Sequence, residues 1–169
     1  YRELCYYGTW SPDLDPRFID ALARAGFQTA VRGFTQGDAP ALSPAVRRLP
    51  PVPRESVAAS LAACRGFLLP YHLNPFLLGV IPAKIYECLA AGRPVIATPL
   101  PSLKSLEGLL YIGETPEDWV RIARDLPRTE TPELRRRRID LARAHSCAAE
   151  FARFKDCLAA ARLRRAERL

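Results

Sequence analysis

Residues 82–99 read Pro82-Ala83-Lys84-Ile85-Tyr86-Glu87-Cys88-Leu89-Ala90-Ala91-Gly92-Arg93-Pro94-Val95-Ile96-Ala97-Thr98-Pro99. The run predicts a helix carrying Lys84 and Glu87 that stops at Gly92, followed by a short buried strand over 94–97. Pro82 suits a first helical turn, where its missing N–H has no partner to lose. At about 100° per residue, Ile81, Ile85, Cys88, Leu89 and Gly92 share one side, and Lys84, Glu87 and Ala91 line up on an adjacent one. One face packs and the other is left to bind. The helix start favours an anion through its unpaired N–H groups, and Lys84 adds a compact cation there. Glu87, an acceptor-only group one turn on, suits a pair of hydroxyls such as those of a ribose. An ordinary surface Lys-Glu pair at i, i+3 explains the same two residues equally well.

Outward from this run, strands are predicted near 4–7, 27–31, 46–49, 66–70, 94–97 and 109–112, with helices near 16–25, 54–64, 82–91, 101–107 and 116–126. Such alternation predicts an α/β fold, a parallel sheet with helices on both faces. Asp15-Pro16 and Thr115-Pro116 are helix starts, each a capping side chain followed by proline. In such a sheet, ligands bind at the carboxyl ends of the strands near the topological switch point. The turn Gly8-Thr9-Trp10-Ser11 and the loop Tyr71–Ile81 therefore draw attention. Glycine at position 8 lets backbone N–H groups approach a phosphate, although a simple tight turn would need it as well. In the loop, His72 and Asn74 are the polar candidates, and each also has a structural reading.

The Lys84 run resembles the donor-site helix of GT-B glycosyltransferases, in the retaining group 1, or family 4-like, enzymes, where Pro-x-Lys-x-x-Glu-Tyr-Leu-Ala-x-Gly-x-Pro-Val is frequent. Cys88 stands where tyrosine is usual. Leu4-Cys5-Tyr6-Tyr7-Gly8-Thr9 is similar to the first strand and glycine turn of that family's C-terminal domain, Gly66–Tyr71 to the strand before the donor loop, and His145-Ser146-Cys147 to its His-Ser-Trp turn. The resemblance covers nearly the whole chain. It implies one domain over 1–169, a Rossmann-like three-layer core with a six-stranded parallel sheet to about residue 130 and C-terminal helices over 131–169. It implies a nucleoside-diphosphate sugar as substrate, with the sugar passed to a hydroxyl acceptor in glycan or polysaccharide synthesis. Lys84 and Glu87 would act on the donor during transfer, and Gly8, Thr9, His72, Asn74, Pro82, Lys84 and Glu87 would line its site. No cofactor and no metal are expected.

Three departures from the family pattern stand out. Gly79 occupies the position, eight before Glu87, where many relatives carry a second acid. The usual Arg/Lys phosphate clamp after the first strand is replaced by Pro12-Asp13-Leu14-Asp15-Pro16-Arg17, leaving Arg17 as a stand-in. Arg32 and Gly33 at the second strand's end, and Arg54-Glu55, where the base would sit, are further neighbours of the site. A nucleotide-sugar 2-epimerase-like half domain and a non-catalytic nucleotide-binding module of the same fold are the alternatives.

Composition agrees with one α/β domain: 49% of the 169 residues are apolar, enough for a sizeable core. No run approaches the roughly 18 apolar residues of a membrane span, so a cytoplasmic location is the default expectation. Five cysteines without a Cys-x-x-Cys pair read as buried free thiols. Methionine is absent, from which an excised domain is expected, with an N-terminal acceptor-binding domain as the missing partner. The charge of +7 concentrates in Arg135–Arg138 and in residues 162–168, read as a solvated helix face or as a peripheral contact with an anionic membrane. No nucleic acid is expected, because no aromatic platform accompanies the arginines.

Overall fold

Six short strands, β1 (Leu4–Tyr7), β2 (Thr29–Arg32), β3 (Arg47–Leu49), β4 (Gly66–Leu69), β5 (Val95–Ala97) and β6 (Tyr111–Ile112), pair in parallel in the order β3-β2-β1-β4-β5-β6. The computed structural model describes residues 3–166, and side chains as far as residue 161. Helices α1 (Pro16–Arg24), α2 (Val57–Ala62), α3 (Lys84–Ala90), α4 (Pro116–Thr129), α5 (Pro132–Ala144) and α6 (Cys147–Ala166) complete the chain. This is an α/β, Rossmann-like domain.

The central strands β1, β4 and β5 are buried on both sides and read as continuous apolar runs rather than alternating ones, whereas the edge strand β3, Arg47-Arg48-Leu49, is largely exposed. Cys5, Phe67, Leu69, Val95 and Ala97 face Leu61 of α2, Ile85 and Leu89 of α3 and Ala142 of α5. The intervening Leu4, Tyr6, Val31, Leu68 and Ile96 face Ile19 and Leu22 of α1 and Trp119, Ile122 and Leu126 of α4. Both expected helix starts are present. Asp15 caps α1 ahead of Pro16, and Thr115 forms a reciprocal capping box with Asp118 ahead of Pro116.

Three expected boundaries shift. Pro127 does not end α4, which runs on to Thr129 because a proline there forfeits one ladder bond near a terminus. The segment expected as a helix over 54–64 divides into a 3₁₀ turn at Arg54–Ser56 and α2, since Ser56 supplies no capping bond. The helix expected at 101–107 is a 3₁₀ turn, Pro101–Leu106. Three of the cysteines, at 5, 64 and 88, are buried as expected, whereas Cys147 and Cys157 are exposed because α6 lies largely outside the core.

The arginine run is not uniformly solvated. Arg138 is fully buried, donating from Nε to the Leu109 carbonyl at 2.8 Å and through both terminal nitrogens to the Glu130 carboxylate at 2.7 Å each. Tyr111 donates its hydroxyl to the same carboxylate at 2.7 Å. Arg136 pairs with Glu133 on the surface. The arginines at 162–168 lie outside the residues whose side chains are described. Removing one partner of a buried, bidentate pair strands the other charge. Arg138→Ala is therefore expected to destabilise the fold by about 3 kcal/mol in urea unfolding, against under about 0.5 kcal/mol for exposed Arg137→Ala.

Candidate functional site

The strand order turns back at β1 and β4, and the loops leaving those two strands diverge over a cleft of about 660 Å³. Its floor is the turn after β1. Gly8 has φ +125° and its N–H donates to the Arg32 carbonyl at 2.9 Å, while Gly33, at φ +142°, ends β2 beside it. The two turns are so close that a Cβ on Gly33 would stand 2.2 Å from the Gly8 carbonyl oxygen, and one on Gly8 would stand 2.5 Å from Lys84 Nζ. The backbone angle calls for glycine at both positions, and at Gly33 contact with the Gly8 backbone does so as well.

Lys84 arrives from the other wall. Helix α3 is seated on the sheet by Ile85, Cys88 and Leu89, each no more than 1% exposed, which places its first residue over the ends of β1 and β4. There the ammonium donates to the Tyr6 hydroxyl at 2.7 Å and lies 4.3 Å from the Tyr6 ring centroid and 5.8 Å from that of Tyr71. Tyr6 in turn donates to the Thr9 carbonyl at 2.8 Å and packs edge-on against Trp10. Burial lowers Lys84 to about 8, against smaller opposing contributions from Cys88 and Glu87. Burial likewise raises Tyr6 and raises Tyr71 to about 12, so both phenols are neutral donors and acceptors at neutral pH.

Among the described residues Lys84 makes no ion pair with Glu87, so the surface i, i+3 pair is not what the two residues form. Glu87 is exposed and lines both this cleft and a second one of about 510 Å³ between α2 and α3, where Tyr7 and Arg54 also stand. Seven residues long and without a capping side chain, α3 adds only a small dipole, so the local positive charge is essentially that of Lys84.

Of the seven residues expected from sequence, Gly8, Thr9, Pro82, Lys84 and Glu87 meet at the larger cleft, and His72 and Asn74 are not part of its lining. Asn74 accepts from the Leu77 N–H at 2.8 Å and donates to Asp13 at 3.2 Å, and His72 lies 3.8 Å from Asp15. Both brace the loop after β4 against the segment after β1, which is further tied by the Asp15 N–H to the Pro70 carbonyl at 2.7 Å. Arg17 is held by Asp15 and does not reach the cleft. Arg32 turns away, toward the Pro50 carbonyl. The residue missed from sequence is Tyr6, whose place in a buried strand reads as core; its hydroxyl acquires a role only through Lys84, 78 positions away. His145 stacks on Tyr86 at 4.8 Å and accepts or donates at Glu150, joining α3 to the start of α6. Among the described residues no cluster of three or more His, Cys, Asp or Glu has a metal-ligand arrangement.

No protein-family model matches the chain. A 40-residue segment, 24% of the chain and 10% of the relative, is 42% identical to a Bacillus subtilis (strain 168) protein named "Putative teichuronic acid biosynthesis glycosyltransferase TuaH". Among solved structures, sucrose-phosphate synthase from Thermosynechococcus elongatus superimposes with a TM-score of 0.66 at 18% identity, over 95% of this chain and 46% of that one. AviGT4, a glycosyltransferase involved in avilamycin A biosynthesis, gives 0.58 at 20% identity, over 86% and 49%. A mutant O-GlcNAc transferase from Thermobaculum terrenum gives 0.55 at 19%, over 92% and 35%. The chain shares the fold of these GT-B glycosyltransferases. It spans about half the length of the first two and about a third of the last. No helix among the described residues is long and apolar enough to cross a membrane.

The crowding of the two glycine turns is directly testable. Gly33→Ala is expected to cost about 1–3 kcal/mol in chemical denaturation, while Gly37→Ala, with nothing within 4 Å of its Cβ, stays within about 0.5 kcal/mol.

Proposed function

We propose that this chain is the donor-binding domain of a glycosyltransferase, holding a nucleoside-diphosphate sugar whose sugar is passed to a hydroxyl acceptor in glycan or polysaccharide synthesis. The observation that carries this reading is the Lys84 ammonium, drawn out of water and held over the Gly8 turn at the mouth of a cleft lined by Glu87 one helical turn away. A lone cation in a partly desolvated cleft, beside a glycine turn without a side chain, is complementary to a diphosphate. The fold shared with sugar transferases and the short match to a protein named as one support the same assignment.

In this scheme charge accumulates on the diphosphate as the bond to the sugar breaks, and Lys84 is fixed in advance where that charge develops. Preorganisation matters because an ammonium already seated pays no reorganisation at the moment of reaction. Glu87 accepts from the ribose hydroxyls, and the Tyr7 and Arg54 side of α2 flanks the base. Retention at the anomeric carbon, a second domain presenting the acceptor across the cleft, and transfer without a resident metal belong to the same proposal.

Calorimetric titration with UDP, GDP and ADP, and then their sugars, tests it. Saturable binding of one diphosphate is expected, weakened at least tenfold in Lys84→Ala; unchanged affinity in the folded variant would remove Lys84 from the site. Glu87→Ala is expected to lose the preference for the ribonucleotide over its 2′,3′-dideoxy analogue. A preference that survives in Glu87→Ala rejects the ribose assignment.

A further inference from the structure

Resting on the donor-site reading, we propose that Tyr6 is the positioning residue of this site: its hydroxyl, accepting from Lys84 and donating to the Thr9 carbonyl, fixes the ammonium and the glycine turn in the one arrangement that meets a diphosphate from both sides.

The geometry is economical. A phenol has one donor and a pair of acceptor lone pairs. Here the donor is spent at 2.8 Å on the Thr9 carbonyl, which belongs to the β1 turn, and an acceptor at 2.7 Å on Lys84 Nζ, which belongs to α3. The two halves of the anion cradle come from elements that have no other polar bridge among the described residues, and one oxygen joins them. That oxygen cannot wander, because Tyr6 is 1% exposed and its ring is held edge-on by Trp10 at 5.5 Å, itself anchored by its indole N–H on the Pro40 carbonyl at 2.7 Å.

The choice of partner is informative as well. Lys84 has Glu87 one turn away on its own helix, where an exposed pair would form cheaply, yet the ammonium points inward to a neutral phenol. A carboxylate partner would neutralise the cation and compete with an incoming phosphate; a phenol orients it and leaves its charge unspent. The titratable groups facing Lys84 are Tyr6 from β1, Tyr71 from the segment after β4, and Glu87 and Cys88 from α3, with Asp13 acting on both phenols. Of these, Tyr6 is the one in hydrogen-bond contact with Nζ.

Tyr6→Phe keeps the ring and removes only the oxygen. Without that acceptor the ammonium is less well supported in the same desolvated place, so Lys84 should lose its proton at lower pH. The test reads the Lys84 side-chain titration by NMR in the free chain: a midpoint near 8 in the parent, and a midpoint lower by about one pH unit in Tyr6→Phe, the tenfold change implied by one charge-assisted bond. Tyr71→Phe, the control, is expected to shift it by less than half as much. The sign for binding follows. Affinity for the bound diphosphate is complete below the midpoint and declines as pH rises through it, so Tyr6→Phe should lose several-fold more affinity at pH 8 than at pH 6.5. A purely packing role would lower affinity equally at both. Equal midpoints in parent and Tyr6→Phe, or equal shifts in Tyr6→Phe and Tyr71→Phe, overturn the proposal. If Tyr6→Phe does not fold, 3-fluorotyrosine at position 6, a weaker acceptor of nearly the same shape, should lower the midpoint by a smaller, measurable step, and no step overturns it. Because the midpoint is read without nucleotide, failure of the parent chain to bind any nucleoside diphosphate would count against the donor reading separately.

Discussion

A lysine ammonium taken out of water must be given partners, and the arrangement around Lys84 is the constraint on which the rest of this structure turns. It is accepted by one phenol, lies against the faces of two aromatic rings, and has no ion pair among the described residues. Its position depends on α3 being seated on the sheet by Ile85, Cys88 and Leu89, and its partner depends on β1 ending where it does. The absence of a side chain at Gly8 leaves room for both, since a Cβ there would collide with Nζ. Packing of the core and construction of the cleft are thus one problem, since the helix that fills the core also carries Lys84 to Tyr6.

The same logic explains why the cleft lies where the strand order reverses. Loops leaving β1 and β4 diverge there, and the chain spends its other polar contacts on pinning them: Asp15 to Pro70, His72 to Asp13, Asn74 to Asp13 and Leu77. These backbone and side-chain bonds stiffen the rim of the cleft that Lys84 and Glu87 line. At the far side, Arg138 does a related job by tying α5 to α4 and to Leu109, a buried charge fully paired and so tolerable.

Much of this was legible in the sequence. The central strands and their parallel pairing follow from apolar runs alternating with amphipathic segments, because strands buried on both faces write themselves as continuous apolar stretches; the exposed edge strand β3, with Arg47 and Arg48, is not such a run. Helix starts at Asp15-Pro16 and Thr115-Pro116 were equally readable, being local hydrogen-bonding decisions. Lys84, Glu87, Pro82, Gly8 and Thr9 were recognisable as neighbours of one cleft, since each sits at the carboxyl end of a strand or the start of the following helix. His72 and Asn74 were in the right loop, but a polar residue's sequence position does not say whether it points into the cleft or along the rim. The arginine run was misleading in a similar way: its composition says solvent, while its helical phase turns Arg138, and not its neighbours, toward Glu130.

What the sequence determined by itself is the order of elements, the faces they bury and the residue types available at the strand ends, because propensity, capping and periodicity act over a few positions. Tertiary structure alone decided that Lys84 would abandon Glu87 for Tyr6, that Gly33 would press on Gly8, and that Arg138 would be buried. Each of these joins groups separated by 8 to 78 residues, and their energies arise from desolvation and close contact, which exist only once the helices have closed on the sheet.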